Sequence, residues 1–235
     1  MGVRHSTFTL LRHLRCFPVA PAVKSHVRKV MLMKILIAVS SCLVGTVLLV
    51  PLAEGHFRLI EPKSWVVEDE LGNPQKPGPC GGTEGDAGVS PTNAITKVQG
   101  GQKLHIKLQE VVFHPGHYRV ALAVNSRTEL PEDPVVVTRD TDKGPQSVSA
   151  KIGTHPTVPV LADGLWQHTA KSTEPFEADV QLPNINCPSC TLQIVEFMAQ
   201  HPYNKEGGYS YHHCAVLNIT ADPSEPIDGR WPAPR

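Results

Sequence analysis

From residue 56 onward, apolar residues recur at every second position in short runs, and proline and glycine interrupt these runs before a helical period can develop. Lys103-Leu104-His105-Ile106-Lys107-Leu108 alternates polar and apolar, and so does Ala178-Asp179-Val180-Gln181-Leu182. Successive side chains of a strand point to opposite faces, so this period fits half-buried strands. The pattern predicts strands over 57–60, 94–98, 103–108, 118–124, 135–138, 176–181, 191–198 and 211–220. The turn-rich stretch from His201 to Gly208 joins the last two as a long hairpin. Many short strands at such spacing predict an all-β sandwich. Two stretches, 61–91 and 125–167, lack the alternation and are rich in proline. Loops this long are usually functional or tied down by cross-links.

A different pattern precedes these strands. Lys34 is followed by an apolar run from Ile35 to Leu52, broken at Ser40-Ser41-Cys42. Ala53-Glu54-Gly55 then sets small residues three and one before a cut after Gly55. This reads as a secretory signal. A retained membrane anchor and a lipoprotein built on Cys42 are the alternatives. Residues 1–32 are basic and aperiodic; they read as an extended leader, or as residues upstream of a true start at Met31 or Met33. The expected organisation is a leader over 1–55 and one domain over 56–235, secreted or periplasmic after the cut.

Charge narrows the partners. Seven of the 22 Lys and Arg, but one of the 22 Asp and Glu, lie in the leader, which leaves 15 bases against 21 acids in residues 56–235. A mildly acidic domain without a basic patch argues against nucleic acid. Cys80, Cys187, Cys190 and Cys214 remain, an even count that predicts two disulfides in an exported chain. Three pairings are open; the expected one joins Cys80 to one member of the 187/190 pair and Cys214 to the other. The alternative is a zinc or redox site at Cys187-Pro-Ser-Cys190, with His212-His213-Cys214 supplying a second ligand pair. Gly-x-Ser-x-Gly and a phosphate-cradling glycine loop are both missing from the sequence.

Three histidine-bearing segments carry the candidate chemistry. After the cut, His56 has a free α-amine beside its imidazole, and the two can chelate one metal. The amine has a pKa near 8, so a metal displaces its proton at neutral pH. Such nitrogen donors suit Cu(II). In Val112-Phe113-His114-Pro115-Gly116-His117-Tyr118, a strand ends, turns at Pro-Gly and re-enters a strand, which puts His114 or His117 at the rim of the sandwich. In Tyr211-His212-His213-Cys214, alternation sends Tyr211 and His213 to one face and His212 to the other.

Together these segments resemble the lytic polysaccharide monooxygenases, especially the bacterial and animal groups and the small bacterial proteins described as monooxygenase-like. The likeness rests on His56-Phe57-Arg58-Leu59 as a mature start, and on His114-Pro115-Gly116 as the His-x-Gly motif entering a strand. It rests also on Tyr211 three residues before Cys214-Ala215, and on Cys187-Pro-Ser-Cys190-Thr-Leu-Gln193 before that strand. The resemblance implies an immunoglobulin- or fibronectin-III-like β-sandwich with long loops. It implies one copper ion per chain, held by the amine and ring of His56 and by the ring of His114. Tyr211 takes the axial side, and His213 serves as proton donor beside the oxygen-binding position. His117 and His213 are further candidate ligands. Oxidative cleavage of a polysaccharide follows, on a chitin- or cellulose-like surface, with an external electron donor and a monomeric chain. The sequence departs from the family at Val216, where Cys-Ala-Asp is usual, and at His117, where an aromatic is more common. A second reading is an exported copper-binding or chaperone protein without catalysis, and a third is a metal-free structural sandwich.

Overall fold

The computed structural model of the protein describes residues 56–204 and 207–235. The expected leader over 1–55 and its cut lie outside the described residues. Among the described residues eleven strands form: β1 (His56–Glu61), β2 (Ile95–Gln99), β3 (Lys103–Val112), β4 (Gly116–Ala123), β5 (Val137–Thr141), β6 (Gly144–Val148), β7 (Val160–His168), β8 (Phe176–Gln181), β9 (Cys187–Met198), β10 (His201–Pro202) and β11 (Ser210–Thr220). Among the described residues the one helical element is a 3-10 turn at Arg127–Glu129.

The protein is an all-β sandwich. A five-stranded sheet in the order β2-β11-β9-β4-β7 packs against a three-stranded sheet in the order β1-β3-β8, and β10-β6-β5 form a small third sheet. Alternation decides which residues fill the space between the two main sheets. Phe57 and Leu59 of β1, Leu104, Ile106 and Leu108 of β3, and Val180 of β8 are buried from one side. Tyr118, Val120 and Leu122 of β4, Leu192 and Ile194 of β9, and Tyr211, Ala215 and Leu217 of β11 are buried from the other. β9 and β11 pair antiparallel, from Ser210 opposite Phe197 to Ile219 opposite Cys187, so the expected hairpin forms.

The stretch 125–167 holds two strands that alternation did not reveal. β7 is the edge of the five-stranded sheet, and its pairing with β4 slips register three times. Nearly every one of its residues is therefore half-buried, and the polar–apolar contrast is lost. β6 is a short polar strand paired with β5 across a tight turn.

The disulfides correct the expected pairing. Cys80 bonds Cys214, and Cys187 bonds Cys190. The faces of the sheet explain this. Cys187 and Cys190 lie in the core between the sheets, whereas Cys214 lies on the opposite face of β11 with Trp65, Val66, Cys80, Ala121 and Ala123. A strand residue cannot reach through its own sheet, so Cys80 meets Cys214. With both members of the 187/190 pair oxidised to each other, the zinc alternative has no thiolates to use.

The Cys80–Cys214 bond anchors the long loop over 61–91. The loop lays Trp65 on the outer face, where its backbone N–H donates to Cys214 O (2.9 Å) and its indole N–H to Cys80 O (2.7 Å). The loop then reaches β1, an edge strand with backbone groups free to pair. Phe57 N–H donates to Gln75 Oε1 (3.2 Å) and Leu59 N–H to the Glu68 carboxyl (3.2 Å). Gly72 presses so close that a Cβ there would sit 2.1 Å from Phe57 O, with φ at +82°, so this position requires glycine. The loop thus holds in place the strand that begins at His56.

Candidate metal centre

At one end of the sandwich the inward rows change from apolar to polar. The row Leu104, Ile106, Leu108 on β3 continues to Glu110, and the row Leu192, Ile194 on β9 continues to Glu196; both glutamates are buried, Glu196 completely. Tyr118 on β4 and Tyr211 on β11 stand opposite Glu196 on either side. His168 closes β7 opposite Gly116. A Cβ at Gly116 would sit 2.5 Å from Phe197 O, so the glycine of the His-x-Gly motif lets β4 approach β9 directly after His114.

Glu110, His168 and Glu196 converge: one donor atom from each lies within 4.8 Å of the others. His168 Nε2 is 2.9 Å from Glu110 Oε1, and the same oxygen accepts from His114 N–H (3.1 Å). His168 Nδ1 donates to Trp166 O (2.8 Å). The neighbouring Tyr118 hydroxyl contacts the Glu196 carboxyl and works against its upward shift, although neither group forms a well-shaped hydrogen bond among the described residues. Burial, and next the Glu110 charge, push the Glu196 carboxyl well above the usual carboxylate range. Burial alone would lower the His168 pKa, but its bonds to Glu110 and Trp166 outweigh this and raise it. Sequence reasoning missed this cluster. The signal was present, because alternation through Leu104, Ile106 and Leu108, and through Leu192 and Ile194, assigns Glu110 and Glu196 to the inward face.

The expected brace residues lie at the same end. His56 opposes Val112 in the β1–β3 ladder, and His114 follows two residues later. Each is 8% exposed. The His56 ring meets Tyr211 edge-on at 5.2 Å between centroids, and Lys76 Nζ lies 4.0 Å over the Tyr211 ring. The His114 ring stacks on His201 at 5.1 Å, and His201 on Tyr209 at 5.0 Å. Lys76 and His201 belong to loop and β10 positions that no local pattern marks.

The other expected ligands are placed differently. His117 is on the outer face of β4, beside Phe197 and 4.0 Å from Asp163 Oδ1. His212 is on the outer face of β11, with Nε2 2.7 Å from Asp133 Oδ1. His213 points inward as expected, but its Nε2 donates to Phe57 O (3.0 Å) and its Nδ1 faces Glu68 Oε1 at 3.2 Å. Both ring nitrogens are thus turned to the chain around β1.

Burial holds the His213 pKa down at about 4, and burial likewise lifts the Glu68 carboxyl to about 7. The two shifts suit a neutral pair in which Nε2 donates to Phe57 O and an uncharged Glu68 carboxyl lies beside Nδ1. The raised Glu68 value means that the folded protein holds a proton between about pH 4.5 and 7 that the unfolded chain releases. Its contribution to stability therefore falls as pH rises through that window. Glu68→Gln, which mimics the neutral acid, is expected to gain on the wild type by about 1–3 kcal/mol between pH 5 and pH 8. Urea unfolding of both proteins at the two pH values checks this, and a pH-independent difference would refute it.

The chain matches no known family model, and none of the curated proteins matches it either.

Proposed function

We propose that residues 56–235, released by a cut after Gly55, bind one copper ion through His56 and His114 and take part in oxidative cleavage of a polysaccharide, as their resemblance to lytic polysaccharide monooxygenases implies. The observation that carries this reading is the β1–β3 register. With His56 opposite Val112, the new amino terminus and the His114 segment share one edge of the sandwich. The donor set fits the ion, since one amine and two imidazoles are nitrogen ligands of the kind Cu(II) favours. When bound, copper supplies redox chemistry that turns O2 or peroxide against a strong C–H bond.

The chain's own part is to hold the donors still. The Gln75 and Glu68 bonds to β1 fix the strand that carries the amine. Glu110 accepts from His114 N–H and fixes the second segment. Tyr211, packed on the His56 ring, shields one side of the amine-bearing residue. An external electron donor and a chitin- or cellulose-like surface are the implied partners. The test is electron paramagnetic resonance of the processed chain with one equivalent of Cu(II). Three nitrogen donors are expected, and fewer than three would overturn the reading.

A second reading, an exported copper-binding or chaperone protein without catalysis, draws on one observation. Tyr203 is the sole aromatic residue exposed among those described, so an aromatic platform for a glycan is lacking there. Copper-loaded protein with reductant and peroxide separates the two readings. Oxidised oligosaccharides from chitin, cellulose or xylan favour catalysis; copper binding with no product from any of them favours the second reading.

A further inference from the structure

We infer that Glu110, His168 and Glu196 form a second metal site, separate from the His56/His114 donors, that takes one divalent cation of the zinc and manganese class. The two glutamates come from facing sheets, each at a position that alternation reserves for apolar side chains. Two carboxylates brought together away from water repel each other and lose hydration, so they are relieved by a proton or by a shared positive charge. Among the described residues Glu110 Oε2 is buried without a well-formed hydrogen bond, and the buried Glu196 carboxyl has only the loose contact of the Tyr118 hydroxyl. These are the open lone pairs a cation would use.

His168 is oriented as a ligand. A carbonyl can only accept, so the contact with Trp166 O fixes the proton on Nδ1. The Nε2 lone pair then points at Glu110 Oε1, 2.9 Å away. Two acceptors at that distance require a proton or a metal ion between them. A backbone carbonyl holding the far nitrogen of an imidazole is the usual support of a metal-bound histidine. Two carboxylates and one imidazole make a neutral site with a dication, and the mixed oxygen and nitrogen donors suit zinc or manganese better than Cu(I). Of the three residues, His168 also borders an open cavity lined by Gly116, His117 and Gln167. This site needs no free amine at His56 and does not depend on the copper reading.

The test is metal analysis of the processed chain after equilibration with Zn2+ and one equivalent of Cu(II), followed by gel filtration. The wild type is expected to retain one zinc and one copper. Glu196→Gln and His168→Gln are each expected to lose the zinc and keep the copper, and His114→Ala to lose the copper and keep the zinc. Absence of zinc from the wild type overturns the inference and leaves a shared proton in the cluster. Retention of zinc by Glu196→Gln overturns it as well. X-ray absorption at the zinc edge of the copper-loaded wild type needs no variant. It is expected to find one imidazole among oxygen donors, and two or more imidazoles would refute the assignment.

Discussion

A chain that keeps its leader up to Gly55 ahead of His56 is expected to bind Cu(II) at least about 1000-fold more weakly than one that begins at His56, a loss of about 4 kcal/mol. The reason is the chemistry of one nitrogen. As a free amine with a pKa near 8, it gives up its proton to a metal at neutral pH. As a peptide nitrogen it is planar, its lone pair is delocalised into the carbonyl, and it can bind a metal only by losing its amide proton, far from any free amine that would anchor the ion. The extension breaks the chelate ring without touching the fold, because the loop bonds to Phe57 and Leu59 lie downstream of it. His114→Ala is expected to weaken binding to a similar degree. His117→Ala, on the outer face beside Asp163, is expected to leave the affinity within about threefold. Competition with a calibrated chelator measures all three. Equal affinity for the extended and processed chains would remove the copper assignment at its root.

The two disulfides are expected to differ sharply in worth. Cys80 and Cys214 are 134 residues apart, whereas Cys187 and Cys190 are three apart. Cross-linking distant positions takes more freedom from the unfolded chain, and the chain-entropy relation gives about 5 kcal/mol for the long loop against about 2 kcal/mol for the short one. Cys80→Ser/Cys214→Ser therefore costs enough to threaten folding outright. It also frees the loop whose Gln75, Glu68 and Gly72 hold β1, so copper affinity falls along with stability. Cys187→Ser/Cys190→Ser is expected to be milder and to leave copper affinity unchanged. Denaturant unfolding of both double variants decides the point; an equal or larger loss from the short bridge would refute it.

Part of the candidate centre was legible because it is written in short motifs. His56 stands behind a signal-like segment, His114 precedes Pro-Gly, and Tyr211 sits in a strand with Cys214. The alternation that placed Tyr211 and His213 on one face holds, since Tyr211 joins the core between the sheets and the His213 ring packs on Phe57. That same rule, carried two residues further on β3 and β9, marks Glu110 and Glu196. What alternation cannot supply is the partner across the gap. His213 is spent on Phe57 and Glu68, and His168 on Glu110, because the sheets and the long loop bring those residues together from 58 to 156 positions away.

The sequence by itself determined the all-β architecture, most strand positions and the inward or outward sense of each strand residue, because the two-residue period of a strand is a local property of the backbone. It did not determine β7, whose edge position and slipped register erased the contrast between its faces. The tertiary structure alone decided the disulfide pairing, the clamp of the loop on β1 and the meeting of Glu110, His168 and Glu196. Each of these depends on which sheet face another segment covers, and that is set by packing between elements far apart in the chain.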